Sequence, residues 1–370
     1  MSRGHPWVFR DGLRGALPPP GEPVRLVDSK GRTAAWGLSD EGPIAVRVLG
    51  RHPKDVRKLL RLRIARAAAL RSRIVPPDTD CYRLINAAGD GLPGIVVDRY
   101  AGVAVVRLYS RAWESHLEAL VDTLAALDGV TSVFRRFGVS RVDGRDGGEA
   151  LAGPPPPEAL VVRENGLQLL ARLHVGQKTG LFLDQRAARA RAGRLARDAQ
   201  VVNLFAYNGG FSLYAAAGGA RRVLSVDVSA GALEDARENF RLNGLDPDAH
   251  GFEAADVFEW SPADGAPLPD LLINDPPGLT RGRKADAAAR RAYRDLAERT
   301  GRWVAPGGLL FTFSCTARLS RKEWERAVEE GLRRAGRWAA LEQGGAPADH
   351  PVALAHPEGR YLKSLLLARL

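Results

Sequence analysis

The chain holds only two cysteines, Cys81 and Cys315, far apart in its 370 residues. That excludes a disulfide framework or a cysteine-rich zinc site as an organising device. Its seven histidines show no ligand spacing, so no metal is expected. His350 and His356 lie in a proline-rich stretch and are expected at the surface. No apolar run reaches the roughly 20 residues needed to cross a bilayer. The first residues also lack the apolar core of a secretion signal. A membrane partner is therefore not expected, and the cytoplasm is the expected location. Also missing is Gly-x-Gly-x-x-Gly, the turn that brings backbone against the pyrophosphate of a dinucleotide.

Positive charge is in excess, with 54 Lys and Arg against 43 Asp and Glu and a formal net charge of +11. That balance favours a polyanionic partner, nucleic acid first. An Arg-favouring genome would give part of the same excess, since Lys is scarce beside Arg. The length suits two or three domains, and a hydrophobic content of 45% supports ordinary cores.

Short apolar runs at 24–27, 33–38 and 44–49, separated by turn residues, predict a small β-rich start. Val56, Leu59, Leu60, Ala67 and Ile74 form a rough helical stripe within 53–74. Arg57, Lys58, Arg61, Arg63, Arg66, Arg71 and Arg73 make the rest of that helix basic, as a solvated face or an RNA contact. A mixed α+β part follows over 79–150, with a helix expected over 113–126, and it ends at the loop Gly153-Pro154-Pro155-Pro156-Pro157. Beyond about residue 160 strands and helices alternate. Strands are expected over 201–205, 223–226, 271–274 and 309–313, with a last one over 361–367. The division drawn from this is 1–75, 76–160 and 161–370.

Residues 201–216, VVNLFAYNGGFSLYAA, carry the most information. An apolar strand meets the glycine pair Gly209-Gly210, and a helix follows. A second strand then ends in the acid Asp227, as in a nucleotide-binding α/β half-domain. An ionised Asp only accepts hydrogen bonds, so it suits both hydroxyls of a ribose. The bulky loop Phe205-Ala206-Tyr207-Asn208 fits a nucleoside ligand without a diphosphate, and S-adenosylmethionine is the common one. The plainer reading is that the glycine pair only lets helix and sheet pack closely.

The chain resembles the ribosomal RNA large-subunit methyltransferase I family. The resemblance rests on strings in order along nearly the whole chain: Gly4-His5-Pro6-Trp7-Val8-Phe9, Asp90-Gly91-Leu92-Pro93-Gly94, and Gly176-Gln177-Lys178-Thr179-Gly180. Phe182-Leu183-Asp184-Gln185-Arg186, Asp349-His350-Pro351 and Pro357-Glu358-Gly359-Arg360-Tyr361-Leu362-Lys363 complete it. The resemblance implies an N-terminal PUA domain, a mixed α+β middle domain and a Rossmann-like S-adenosylmethionine-dependent methyltransferase domain. The implied reaction is methylation of cytosine carbon 5 in 23S rRNA, naked or within an assembling large subunit. Whether the protein is a monomer or a homodimer is left open.

Cytosine carbon 5 is a weak nucleophile until another nucleophile adds at carbon 6, and a thiolate adds and leaves readily. Cys315, in Ser314-Cys315-Thr316 just past a predicted strand, is the residue the resemblance points to, where similar proteins carry Ser-Cys-Ser. A buried structural Cys is the plainer alternative. Cys81 has no such string and reads as packing. Asp275, in Asn274-Asp275-Pro276-Pro277, would hold the pyrimidine and manage protons, or simply cap a turn.

For the cofactor, Asp227 with Val228 would meet the ribose, and Asp256 with Val257 the adenine. Asn203, Phe205, Ala206, Tyr207, Gly209 and Asp275 would line the methionine end, with Asn203 where similar proteins usually carry Asp. Lys178, Thr179, Phe182 and Arg186 are carried over to this set through the resemblance, and could equally contact the RNA strand. Arg186, Arg281, Arg283 and Lys284 would contact RNA phosphates. Asn-Asp-Pro-Pro also occurs in methyltransferases of exocyclic base amines, which usually follow it with an aromatic; here Gly278 and Leu279 follow. That reaction is one alternative, and a non-catalytic ribosome-binding protein is the other.

Overall fold

The β-prone runs near the N-terminus pair antiparallel, in the order Trp7–Phe9, Ile44–Gly50, Thr33–Ser39, Pro23–Val27. Val8, Val24, Leu26, Ala35 and Val46 fill one face of that sheet. The computed structural model describes residues 4–52, 55–279 and 285–370. These fall into two units. The first is Met1–Gly166 with Ala171–Leu183 and Ala348–Gly359. The second is Leu167–Leu170 with Asp184–Pro347 and Arg360–Leu370.

In the first unit, the basic helix runs Val56–Ile74, and the Asp55 side chain accepts from Lys58 N–H at its start. It buries Leu59, Leu60, Ile64 and Ala67 against Leu84, Ile85, Val97, Val106 and Trp113. A five-stranded sheet supplies most of those partners: Cys81–Asn86, Ile95–Tyr100, Val103–Leu108, Ser132–Arg136 and Gly148–Ala152, in chain order. The helix expected over 113–126 divides into a 3-10 turn, Arg111–His116, and an α-helix, Leu117–Ala125.

Part of the basic face is not a face at all. Arg71 is buried, donating to both Asp90 oxygens at 2.5 and 2.8 Å and to the carbonyls of Arg83 and Asp349. Arg63 donates to the Gly91 and Leu49 carbonyls. Such fully bonded guanidiniums hold the fold together and are not offered to a ligand. Lys58, Arg61, Arg66 and Arg73 are exposed.

The second unit is built on a seven-stranded sheet: β1 Gln200–Leu204, β2 Arg222–Asp227, β3 Gly251–Ala254, β4 Leu271–Asn274, β5 Leu309–Ser314, β6 Trp338–Gly344 and β7 Lys363–Arg369. The order is β3-β2-β1-β4-β5-β7-β6, with the first five parallel and β7 antiparallel to both neighbours. Central strands such as β4 (LLIN) are buried throughout, as parallel strands covered on both faces must be. The helices are α1 Arg186–Leu195, α2 Gly210–Ala217, α3 Ala230–Leu242, α4 Ala285–Trp303 and α5 Arg321–Leu332. Leu272, Leu310, Tyr293, Trp324 and Val328 share the core under α4 and α5. The last strand begins two residues later than expected. Tyr361 turns aside to donate to Asp184, and pairing with β5 starts at Lys363↔Ser314.

Candidate active site

The strand order of the second unit reverses between β1 and β4, and the crevice beyond the carboxyl ends of such strands is where open α/β sheets bind ligands. Phe205, Tyr207 and Gly209, just past β1, all have positive φ (57°, 49° and 72°). Two non-glycine residues held left-handed within three positions is backbone strain, a feature that collects at functional sites. A Cβ on Gly209 would stand 2.6 Å from the Ala236 Cβ of α3. Glycine there satisfies both its φ and this close approach.

Asp227 braces the strained turn. Its Oδ2 accepts from Tyr207 N–H at 2.8 Å, and its Oδ1 from Ser229 N–H at 2.9 Å. Each oxygen keeps acceptor capacity for a further donor. Val228 is 74% exposed. Phe205 packs edge-on against Phe258 at 5.3 Å. Asp256 is exposed and caps its own turn by accepting from Phe258 N–H, while Val257 is buried. Asn203 is only 1% exposed and donates to Ser212 Oγ, which also receives Ser225 Oγ. This residue braces α2 against β1 and β2, and its buried Oδ1 has no partner among the described residues.

Asp275 and Cys315 follow the neighbouring parallel strands β4 and β5, paired up to Asn274↔Thr312. A Cβ on Gly278 would lie 3.8 Å from the Cys315 Sγ, so the Asp-Pro-Pro loop and the thiol are side by side. Gln185, which is 3% exposed, donates from Nε2 to Asp275 Oδ2 at 2.8 Å, and its Oε1 has no partner among the described residues. Tyr293 of α4 shares a 2.9 Å hydrogen bond with Thr316 Oγ1. Burial pushes its phenol up to about 12, and nearby Cys315 and Asp275 add to this. At neutral pH it keeps its proton.

Lys178, Thr179 and Phe182 belong to the first unit. Thr179 is buried and donates to Asp98 at 2.6 Å, while the Lys178 ammonium lies 4.6 Å from the Phe182 ring centroid. Arg186 is buried at the start of α1, which leaves it little surface for a phosphate. Arg281, Arg283 and Lys284 lie outside the described residues. Cys81 is buried, its thiol donating to the Arg163 carbonyl.

The expectation that His350 and His356 are surface residues is wrong: both are buried. His356 stacks edge-on to Trp7 at 4.3 Å, and with His5 and Glu358 it brings three potential ligand atoms within 4.8 Å of one another. Burial lowers the pKa of His356. Ligand spacing in the sequence could not reveal this group, since His5 lies 353 residues from Glu358.

The model of the S-adenosylmethionine-dependent methyltransferase family matches residues 83–365, and that of a PUA-like domain matches residues 1–51. The chain is 40% identical to a ribosomal RNA large subunit methyltransferase of Deinococcus radiodurans, covering 98% of this chain and 93% of that protein. It is 36% identical to the ribosomal RNA large subunit methyltransferase I of Tolumonas auensis, covering 99% and 96%. The chain belongs to the ribosomal RNA large-subunit methyltransferase I family. Solved structures agree on the fold alone. A methyltransferase in complex with SAH gives a TM-score of 0.88 at 21% identity, covering 99% of this chain and 96% of that one. A SAM-dependent methyltransferase of Streptococcus mutans gives 0.87 at 21% identity over the same shares.

Membership in this methyltransferase I family makes the chain an S-adenosylmethionine-dependent enzyme with a PUA-like start. No helix among the described residues is long and apolar enough to cross a membrane.

Proposed function

We propose that the enzyme methylates carbon 5 of a cytosine in 23S rRNA through a covalent adduct with Cys315. The observation that carries this reading is the juxtaposition of Asp275, the Gly278 backbone and the Cys315 thiol at the ends of two adjacent strands. The relatives' names supply the ribosomal substrate.

Asp227, Val228, Asp256, Val257 and the turn 205–209 would hold the cofactor, with Asn203 bracing α2 behind that turn. When bound, S-adenosylmethionine supplies an electrophilic methyl group carried on a sulfonium. The chain's own residues make the base reactive enough to take it. The Cys315 thiolate adds to carbon 6, and the displaced electron pair makes carbon 5 nucleophilic. Asp275, held by Gln185, positions the ring and shares the proton load while the adduct exists. With the methyl group on carbon 5, loss of the carbon 5 proton leaves an electron pair that re-forms the carbon 5–carbon 6 double bond and expels the Cys315 thiolate.

The orphaned Gln185 Oε1 supports cytosine as the base. It is a buried acceptor beside Asp275, and the cytosine exocyclic amine is a donor. The base must leave any stack to reach the thiol, so loosened or single-stranded rRNA is the substrate form. The three-part division at 1–75, 76–160 and 161–370 goes with this reading.

The test incubates purified protein with labelled S-adenosylmethionine and unmethylated 23S rRNA, followed by nucleoside mass spectrometry. Label in 5-methylcytidine, abolished in Cys315→Ala, is the expected result. Label on an exocyclic amine, or full activity in Cys315→Ala, would overturn the adduct.

A further inference from the structure

Lys363 opens β7, where it faces Ser314 across the last register pair with β5. Cys315 is the next residue beyond that pair. The Lys363 ammonium donates to the Thr316 carbonyl at 2.8 Å and to the Tyr361 carbonyl at 3.1 Å. The residue is only 3% exposed. Neither partner is an anion.

A buried ammonium without a carboxylate is costly. Here burial lowers the pKa of Lys363, and Arg321 at the start of α5 lowers it further. The charge that favours it is Cys315. Among the described residues, Tyr293 of α4 is a phenol pushed up to about 12 that also feels Cys315 and Asp275, and the Asp275 loop lies beside the thiol, where a carboxylate opposes a second anion. Packing alone does not explain the lysine. A methionine would fill the same space without the desolvation cost.

We propose that Lys363 is a positioning residue for Cys315: it fixes the Cys315-Thr316 turn through the Thr316 carbonyl and stabilises the thiolate that attacks the base. The role rests on the adduct reading above. The attacking thiol must ionise beside a carboxylate, and Lys363 supplies the compensating charge from the adjacent strand β7.

The test is the pH dependence of Cys315 alkylation by iodoacetamide in the native protein, with Cys315→Ala as the blank for Cys81. Lys363→Met should raise the alkylation midpoint by about one pH unit or more, the scale of one neighbouring charge. It should lower kcat about tenfold at neutral pH for each unit, while binding of S-adenosylhomocysteine stays unchanged. Lys363→Arg, which keeps the charge, should restore part of the midpoint. An unchanged midpoint in folded Lys363→Met overturns the proposal, since loss of packing alone would not move it. Should Lys363→Met fail to fold, the parent protein decides. Its native midpoint must lie below that of the same thiol in urea, and a native midpoint equal or higher overturns the proposal. A Cys315→Ala enzyme that still methylates would sink the adduct reading and leave the alkylation result standing, so the two failures are distinguishable.

Discussion

Removing the Asp227 carboxylate separates cofactor binding from folding. In the structure each of its oxygens takes one backbone N–H, from Tyr207 and Ser229, and a carboxylate oxygen can accept a second hydrogen bond, as from a ribose hydroxyl. Hydrogen bonds to a charged acceptor contribute about 1.5–3 kcal/mol each. Two of them amount to about 3–6 kcal/mol, or a Kd raised roughly 10²- to 10⁴-fold in Asp227→Ala. Asp227→Asn keeps one acceptor oxygen and loses the charge, which corresponds to about 2 kcal/mol and a Kd raised roughly 30-fold. Folding should suffer less. Asp227 is half-buried and Ser229 exposed, so water can satisfy the abandoned N–H groups, at about 1 kcal/mol per bond. Titration calorimetry with S-adenosylhomocysteine, paired with thermal melts, reads both quantities. A folded Asp227→Ala protein binding within threefold of the parent would refute the assignment of this carboxylate to the ribose.

Four further perturbations test other parts of the structure. Gln185→Leu removes the donor to Asp275. It should cut kcat roughly 10- to 100-fold, the equivalent of one charged hydrogen bond, without altering S-adenosylhomocysteine binding; an unchanged kcat would show that Asp275 needs no such support. Arg71→Met strands Asp90 in the interior of the first unit and should cost about 3–5 kcal/mol in urea unfolding, whereas a loss below about 1 kcal/mol would mean the pair is dispensable. His250 and His356 both have pKa values lowered by burial, and His250 Nδ1 accepts from Val223 N–H, a bond that needs the neutral ring. The unfolded chain therefore binds more protons than the native one between their lowered pKa values and the ordinary value of about 6.5. Stability should rise with pH across that window and level off above it; a flat profile in the double variant His250→Phe/His356→Phe would assign the effect. Finally, rRNA binding should weaken steeply with salt, and reversing the charge of exposed Arg61 or Arg66 should flatten the log–log slope by about 1 for each phosphate no longer neutralised.

The methyltransferase half was readable because its signals are local. β1, β2, β4 and β5 are short apolar runs, and the acid Asp227 ends β2 where a ribose-binding residue should stand. The edge strands β3 and β6 carry no such signal. β6 is mostly exposed and β3 has only four residues, so neither shows a period. The basic helix misled for a different reason. Composition counts charges but not their partners, and only tertiary contact tells that Arg71 is neutralised by Asp90 while Arg61 faces solvent. His356 was misplaced in the same way: prolines mark a loop, but this loop is buried against Trp7.

The strings that revealed the family turn out to be wiring more than chemistry. Asp349 accepts from Arg83 N–H and, through its carbonyl, from Arg71, while the Pro351 carbonyl takes Asn86 Nδ2. A Cβ on Gly89 would sit 1.8 Å from that same Pro351 oxygen, so the turn before Asp90 must be glycine for the late segment to return to the first unit. Asp184 receives Tyr361 Oη at 2.5 Å, Gln185 holds Asp275, and Lys363 holds the turn after Cys315. Each string pairs a polar group with another far along the chain. Cys315 and Asp275 are single side chains, and each would be mobile alone. Buried donors from segments nearly two hundred residues apart tie them down, Gln185 to Asp275 and Lys363 to the carbonyl of Thr316 next to Cys315. Substitutions in those donors should therefore alter turnover while leaving Cys315, Asp275 and the turn at 205–209 in place.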